Sequence, residues 1–314
     1  MAPTSAPLRL DRVPAAPLTR FAPAPTGHLH LGHVVNAIVV WGVARARGGR
    51  VLLRIEDHDR QRCRPEYETS ILDDLDWLGL APDVHPTAGF RAGRSAGRQS
   101  DREAVYRGAL ADLASRGLVY ACRCTRREIE AAGGDGDQRR YPGTCRTLGL
   151  PLEDGVGWRL VVEPGEERFD DVVHGPLRQD PSAQCGDLLL RDRLGNWTYQ
   201  FAVTVDDTLQ RVDLVVRGDD LVASTGRQIR LARLLGRVTP PVFLHHPLVM
   251  KSATQKLSKS DGDTAVRDLR AAGWTPPQVL AAAAHAVGLV PTLREITLDE
   301  VPAIVVSATR LAPP

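Results

Sequence analysis

Lysine is almost absent from this 314-residue chain: the basic residues are overwhelmingly arginine, and lysine occurs only at Lys251, Lys256 and Lys259. If arginine serves wherever a generic positive charge suffices, three clustered lysines suggest a site that wants a compact, mobile ammonium; the alternative is chance. Long apolar runs are also missing. No stretch approaches the roughly 20 residues that a membrane-spanning helix needs, and the Pro- and Ala-rich start has no continuous apolar segment behind a basic one. The expectation is a cytoplasmic protein with no membrane partner and a disordered or extended arm over residues 1–17. Neither sign of charge dominates. A formal net charge of +2 neither demands nor excludes a nucleic-acid partner, because such binding depends on local patches. Cysteine is sparse, and five residues cannot all pair. In a reducing compartment, clustered cysteines are better read as metal ligands than as disulfides. No internal repeat, heptad stripe or exposed apolar helix suggests an oligomer, so a monomer is expected.

What is present is an ordinary globular composition, 43% hydrophobic and 25% charged, long enough for two or three packed units. LTRF before APAPTG reads as a short strand entering a turn. LGHVVNAIVVWGVARARGG reads as a helix apolar nearly all round and closed by Gly48 and Gly49, which places it in the core. RVLLRIED is a buried strand, and PEYETSILDDLDWLG a helix with Pro65 early, Ile71, Leu72, Leu75 and Leu78 on one face, and Gly79 as its stop. Strand, helix, strand, helix means an α/β fold with a parallel sheet. Ser100 with Glu103, and Thr225 with Gln228, have capping-box spacing ahead of two further helices. From Val119 to Arg193 the alternation is lost, with LLLRDRLGNWTYQFAVTV reading as two strands around a turn. The expected organisation is a catalytic unit over 18–118 and 194–240, an inserted subdomain over 119–193, and a small, largely helical C-terminal unit over 241–314 that holds the lysine loop.

HLHLGH, at 28–33, stands where a strand–turn–helix unit delivers the helix's first backbone N–H groups, which favour anions such as phosphate. Gly32 lets a ligand approach the backbone. His30 and His33 are one helical turn apart and could donate to a phosphorus centre gaining negative charge in the transition state. The plainer alternative is that they cap the helix or fill space.

Far downstream stands KLSKS, residues 256–260. Together HLGH and KLSKS resemble the two signature motifs of class I aminoacyl-tRNA synthetases. RFAPAPTGHLHLGH, LLRIEDHDRQR, YQFAVTVDD, VVRGDDL and RQIRL, in that order, resemble the glutamyl branch of that family from Arg20 to Ser260. The resemblance implies a Rossmann-type catalytic domain split by an acceptor-type insertion. It implies His30, His33, Lys256 and Lys259 as catalytic residues, with Gly32 and Ser258 joining His30, His33 and Lys259 in binding ATP with Mg²⁺. A glutamate pocket follows at Arg20, Phe21, Ala22, Pro23, Ala24, Glu56, Tyr199 and Arg217. A substrate with two carboxylates and an ammonium suits arginines, a hydroxyl and one carboxylate; without the family, Glu56 and Arg217 would read as surface ion-pair residues. The branch usually has serine where this chain has Ala24, so one hydroxyl expected to hold the substrate is missing.

CRC at 122–124 and YPGTC at 141–145 resemble the zinc site of the insertion. Cys122, Cys124, Tyr141 and Cys145 would hold a structural Zn²⁺, or the site is empty and degenerate. Cys63 and Cys185 read as ordinary thiols. Only 55 residues follow Lys259, too few for a helical anticodon-binding domain, so none is expected. That truncation resembles the short members of the branch, which activate glutamate without tRNA and transfer it to the queuosine wobble base of tRNA(Asp), facing its anticodon stem-loop. The alternatives are a tRNA-dependent ligase with another acceptor, a small-molecule ligase or nucleotidyltransferase of the wider superfamily, and a non-catalytic RNA-binding paralogue.

Overall fold

The computed structural model describes residues 9–132, 140–249 and 264–308. Lys251, Lys256, Ser258 and Lys259 lie outside the described residues. In chain order the elements are β1 (Leu18–Phe21), α1 (Leu31–Ala46), β2 (Arg50–Leu53), α2 (Pro65–Leu78), α3 (Thr87–Arg91), α4 (Glu103–Ser115), β3 (Val119–Cys122), α5 (Arg126–Ala132), β4 (Gly157–Leu160), β5 (Glu167–Asp171), β6 (Gly175–Gln179) and α6 (Pro181–Cys185). They continue with β7 (Leu188–Arg191), α7 (Tyr199–Leu209), β8 (Leu214–Gly218), α8 (Thr225–Leu234), β9 (Val242–His246), α9 (Val266–Ala271), α10 (Pro276–Ala286) and α11 (Val301–Ser307).

Six strands form the main sheet in the order β2-β1-β8-β9-β5-β6. All neighbours are parallel except the β5–β6 hairpin at one edge, so the sheet is mixed. α1 follows β1 and carries ten buried residues from Val34 to Ala44, as its continuous apolar sequence requires of a helix covered on all sides. Its outer cover is α10 and α11. At Gly42 the approach is so close that an added Cβ would sit 2.6 Å from Val305 Cγ2. Ile71, Leu72, Leu75 and Leu78 are the buried face of α2, and Gly79 closes it with φ 75°, a left-handed conformation that glycine adopts without steric cost.

A second sheet, β3-β4-β7, is antiparallel. Its core joins Leu160, Leu188 and Leu190 to Tyr106 and Leu110 of α4, Trp197, and Phe201 and Val205 of α7.

The hydrogen bonding groups the chain differently from the expected spans. The β5–β6 hairpin falls inside 119–193, yet β5 joins the main sheet through Asp171 opposite Phe243 of β9. β9 itself, assigned to the C-terminal unit, is an inner strand beside β8. The C-terminal helices share one apolar core with α1 and the sheet, because the all-round apolar surface of α1 must be covered. Within the expected N-terminal arm, Leu10–Arg12 form a helical turn, Val13 enters the main core and Arg12 pairs with Asp170 at 2.8 Å.

Two local expectations also change. YQFAVTV is helix α7 and not a second strand, since Phe201, Ala202 and Val205 bury at helical spacing against α4 and Trp197. Neither capping box forms. α4 begins behind a helical turn over Gln99–Arg102, and Glu103 instead accepts from the Trp197 indole at 2.7 Å. Thr225 and Gln228 turn their side chains to Arg217.

Candidate active site

The carboxyl ends of β1, β2, β8 and β9 open into one cleft of about 520 Å³, the position where open parallel sheets bind ligands. Its walls bring together Arg20, Phe21, Ala22, Pro23 and Ala24 from β1 and its exit turn, His30, Gly32 and His33 from the start of α1, Glu56 after β2, Tyr199 from the first turn of α7, and Arg217 from β8. Every sequence-predicted residue of the phosphate turn and amino-acid pocket that lies in the described regions is therefore in the same cleft. Sequence reasoning missed His58, Asn36 and His246, which also line it.

His30 is the N-cap of α1. Its Nδ1 accepts from the Gly32 N–H at 3.1 Å, and His33 Nδ1 accepts from the His30 N–H at 3.1 Å, a capping box built from imidazoles. With Nδ1 accepting, a neutral ring carries its proton on Nε2, which makes each histidine a donor at its outer nitrogen. The capping and phosphate-binding readings are thus compatible. Gly32 is needed for the cap itself, since a Cβ there would lie 2.9 Å from His30 Cε1.

A buried charge network supports the pocket. Arg54, fully buried, donates to Asp207 at 2.7 Å and to Glu56 Oε1 at 3.2 Å. Arg20 donates to Asp207 at 3.3 Å and to the Val216 carbonyl at 3.0 Å. Asp206 collects Arg102, Gln99 and the Tyr106 hydroxyl. Burial alone would raise the Asp207 carboxyl, but the charges of Arg54 and Arg20 hold it below the ordinary carboxylate value. Burial keeps the Tyr199 hydroxyl protonated, with nearby Glu56 adding to the effect. Arg54 and the Asp206–Asp207 pair were not singled out from sequence. The available signal was a charged residue inside the otherwise apolar runs VLLRI and FAVTVDD.

Arg217 differs from the other two arginines. Its guanidinium donates to neutral groups, His245 Nε2 at 3.0 Å, Gln228 Oε1 at 2.6 Å and Thr225 Oγ1 at 2.9 Å, and the Tyr199 hydroxyl also interacts with it. Desolvation lowers its pKa from the usual value, with Arg20 lowering it further. A buried guanidinium in that position favours an anionic ligand.

The described residues on either side of the lysine segment reach this cleft. Val249, the last described residue before it, lines the wall, and Ala265 beyond it makes an antiparallel bridge with His30.

The cysteine group lies apart, beside the second sheet. Cys122, Cys124 and Cys145 place their sulfurs within 4.8 Å of one another. Cys124 and Cys145 are 3.5 Å apart, and the Tyr141 hydroxyl lies 3.3 Å from Cys122 Sγ and 3.7 Å from Cys124 Sγ. Thiolates at the corners of a zinc tetrahedron are about 3.8 Å apart, so the three thiols and the phenol fit such an ion. The Arg159 guanidinium stacks 3.7 Å over the Tyr141 ring. Cys63 and Cys185 stand outside the group.

Comparison with known proteins now decides the family. Residues 18–300 match the model described as tRNA synthetases class I (E and Q), catalytic domain. The chain belongs to this class I tRNA synthetase family. As a class I synthetase it is a ligase, and no helix among its described residues is long and apolar enough to cross a membrane. It is 40% identical over 286 residues to a Glutamyl-Q tRNA(Asp) synthetase of Rhodobacter capsulatus, covering 83% of this chain and 98% of that protein. A Bordetella bronchiseptica protein of the same name is 47% identical over 255 residues, 79% of this synthetase and 76% of the relative. Among solved structures, a glutamate tRNA ligase from Elizabethkingia meningosepticum, in complex with its amino acid, superposes with a TM-score of 0.77 at 25% identity. That alignment covers 95% of this synthetase and 66% of the Elizabethkingia chain.

Proposed function

We propose that this synthetase activates glutamate with ATP and transfers the glutamyl group to the queuosine wobble base of tRNA(Asp). The observation that carries the reading is the shared cleft: a buried arginine with neutral partners stands with Arg20, Glu56 and Tyr199 beside the His30–His33 turn. That is a place for a dicarboxylic amino acid next to a place for phosphates. The relatives' common name supports the glutamate substrate and the queuosine acceptor.

In the first step a carboxylate oxygen of glutamate attacks the α-phosphorus of ATP. A new P–O bond forms, the bond to the bridging oxygen breaks, and pyrophosphate leaves. Arg217 and Arg20 hold and orient the substrate's carboxylates, Glu56 receives its ammonium, and Tyr199 donates from its hydroxyl. Phe21, Ala22, Pro23 and Ala24 form the wall; Ala24 offers no hydroxyl there, so backbone and water take that role. His30, His33 and the N–H groups around Gly32 donate to the phosphate oxygens as charge develops. Lys256, Ser258 and Lys259, between Val249 and Ala265 in the sequence, would follow the charge onto pyrophosphate. Mg²⁺ bound with ATP would supply charge neutralisation to its phosphates. In the second step an acceptor hydroxyl on the wobble base attacks the glutamyl carbonyl and AMP leaves.

Cys122, Cys124, Tyr141 and Cys145 would hold a structural Zn²⁺ that stabilises a loop-rich segment and, with four protein ligands, keeps no open position for chemistry. We take the working unit to be a cytoplasmic monomer that meets the anticodon stem-loop of tRNA(Asp) with catalytic domain and insertion together.

The test is ATP–pyrophosphate exchange without RNA, run with glutamate, aspartate and glutamine, followed by glutamyl transfer to queuosine-containing tRNA(Asp). Exchange with glutamate alone and labelling of that tRNA supports the proposal. Exchange that needs tRNA would instead favour a glutamyl-tRNA synthetase-like ligase, and no exchange under either condition would leave the non-catalytic reading.

A further inference from the structure

We propose that the buried pair Asp171–His245 is a positioning device for Arg217, and that its hydrogen-bond polarity sets how tightly this synthetase holds the substrate carboxylate. The inference rests on the glutamate-activating reading above.

The device crosses three adjacent strands. Asp171 ends β5, His245 lies in β9, and Arg217 is the register partner of His245 in β8. Both Asp171 and His245 are completely buried. Backbone donors fix the Asp171 carboxyl in place: its Oδ1 accepts from the Val173 and His174 N–H groups at 2.9 Å, and its Oδ2 from the His245 N–H at 3.2 Å. The same Oδ2 lies 2.7 Å from His245 Nδ1. A carboxylate can only accept, so the proton of that bond is on Nδ1.

The opposite ring nitrogen must then accept, and the surroundings agree. Arg217 Nε–H points at His245 Nε2 from 3.0 Å, and the Thr225 hydroxyl lies 3.4 Å from the same atom. Thr225 and Gln228 hold the two terminal nitrogens of the guanidinium. Three of its five N–H bonds are thereby taken by neutral acceptors, and the planar fork has one orientation at the cleft wall. The Phe243 ring lies parallel to His245, with centroids 6.1 Å apart, and beneath Arg217 at 5.4 Å. That apolar floor keeps water from substituting for a lost partner. Burial also lowers the imidazole pKa below the ordinary histidine value, so the ring stays neutral beside the guanidinium.

A merely space-filling histidine would not care which nitrogen accepts. The positioning role does, and two near-isosteres separate the cases. His245→Gln offers a carbonyl near the Nε2 position, whereas His245→Asn keeps a donor for Asp171 and loses the acceptor for Arg217.

The experiment is steady-state exchange by wild type and both variants, with thermal melts for folding and ¹⁵N NMR of the wild-type histidines without substrate. His245→Asn should raise the KM for glutamate about tenfold to a hundredfold, the range for one hydrogen bond to a charged group. Its KM for ATP should stay within about twofold, and His245→Gln should recover most of the loss. The NMR should show His245 protonated on Nδ1 alone. A folded His245→Asn with unchanged glutamate KM, parallel rises in both KM values, or an Nε2-protonated His245 would overturn the device. Failure of wild type to exchange with glutamate would count against the substrate reading, and the NMR result would still decide whether His245 presents Nε2 to Arg217 as an acceptor.

Discussion

At the scale of single residues, the cleft depends on charges removed from water in matched sets. Arg54 is the clearest case, because it has no exposure and serves both Glu56 and Asp207. Its desolvation is opposed by Asp207, Glu56 and Asp206, which together raise its pKa above the usual value. Arg54→Met would leave carboxylates buried without their cation, and the loss of stability should be about 3–5 kcal/mol in chemical denaturation at neutral pH. Asp74 shows the opposite situation. Its Oδ2 is buried on α2 with no hydrogen-bond partner among the described residues, and burial, offset in part by Arg270, pushes its pKa up to about 7. A carboxyl whose folded pKa is raised binds its proton more tightly in the native state, so it costs stability as pH rises from about 4 towards 7. Asp74→Asn should therefore stabilise the protein at pH 8 by about 1–2 kcal/mol and change it little at pH 4. A stability gain equal at both pH values would refute that account.

At the scale of elements, the sequence was most legible where periodicity had a single outcome. α1 and α2 fall where their apolar patterns place them, because a helix apolar on every side can only be a central one. α7 was misread, since YQFAVTV has the β-branched and aromatic content of a strand while its burial at helical spacing depends on α4 and Trp197. Thr225 and Gln228 had the spacing of a cap, but a buried guanidinium one strand away takes the same acceptors. No local rule could weigh Arg217 against an N-terminal N–H. The closest helix contact offers a test of packing: Gly42→Val would drive side-chain atoms into Val305, whose Cγ2 lies only 2.6 Å from the place a Cβ would occupy. The expected cost is about 1–3 kcal/mol, seen as a lower urea midpoint with unchanged slope.

For the whole molecule, two sheets with separate cores meet across α4 and α7, and the second sheet carries the thiol group at its outer end. If the proposed Zn²⁺ binds there, it would stabilise that loop-rich segment. Purified protein should contain about one zinc per chain, measured by elemental analysis, and Cys145→Ser should lose it. Chelation should lower the melting temperature while leaving the main sheet's hydrogen-exchange protection nearest to native. Gly186→Ala should have a similar effect on metal content, because its Cβ would fall 2.0 Å from the Tyr141 carbonyl oxygen and displace a ligand. Full zinc occupancy in both variants would rule out this ligand set.

The amino-acid sequence by itself determined the α/β pattern, the helix at the core and the turn that opens it, since each follows from local spacing or from the chemistry of a short motif, while the pocket residues were legible only through the family resemblance. Tertiary structure decided which strands share a sheet and which groups share a proton. β5 is remote in sequence from β8 and β9, yet their pairing sets Asp171, His245 and Arg217 in a line. Such a line has no sequence period, because strand order, and not chain order, brings its members within hydrogen-bonding distance.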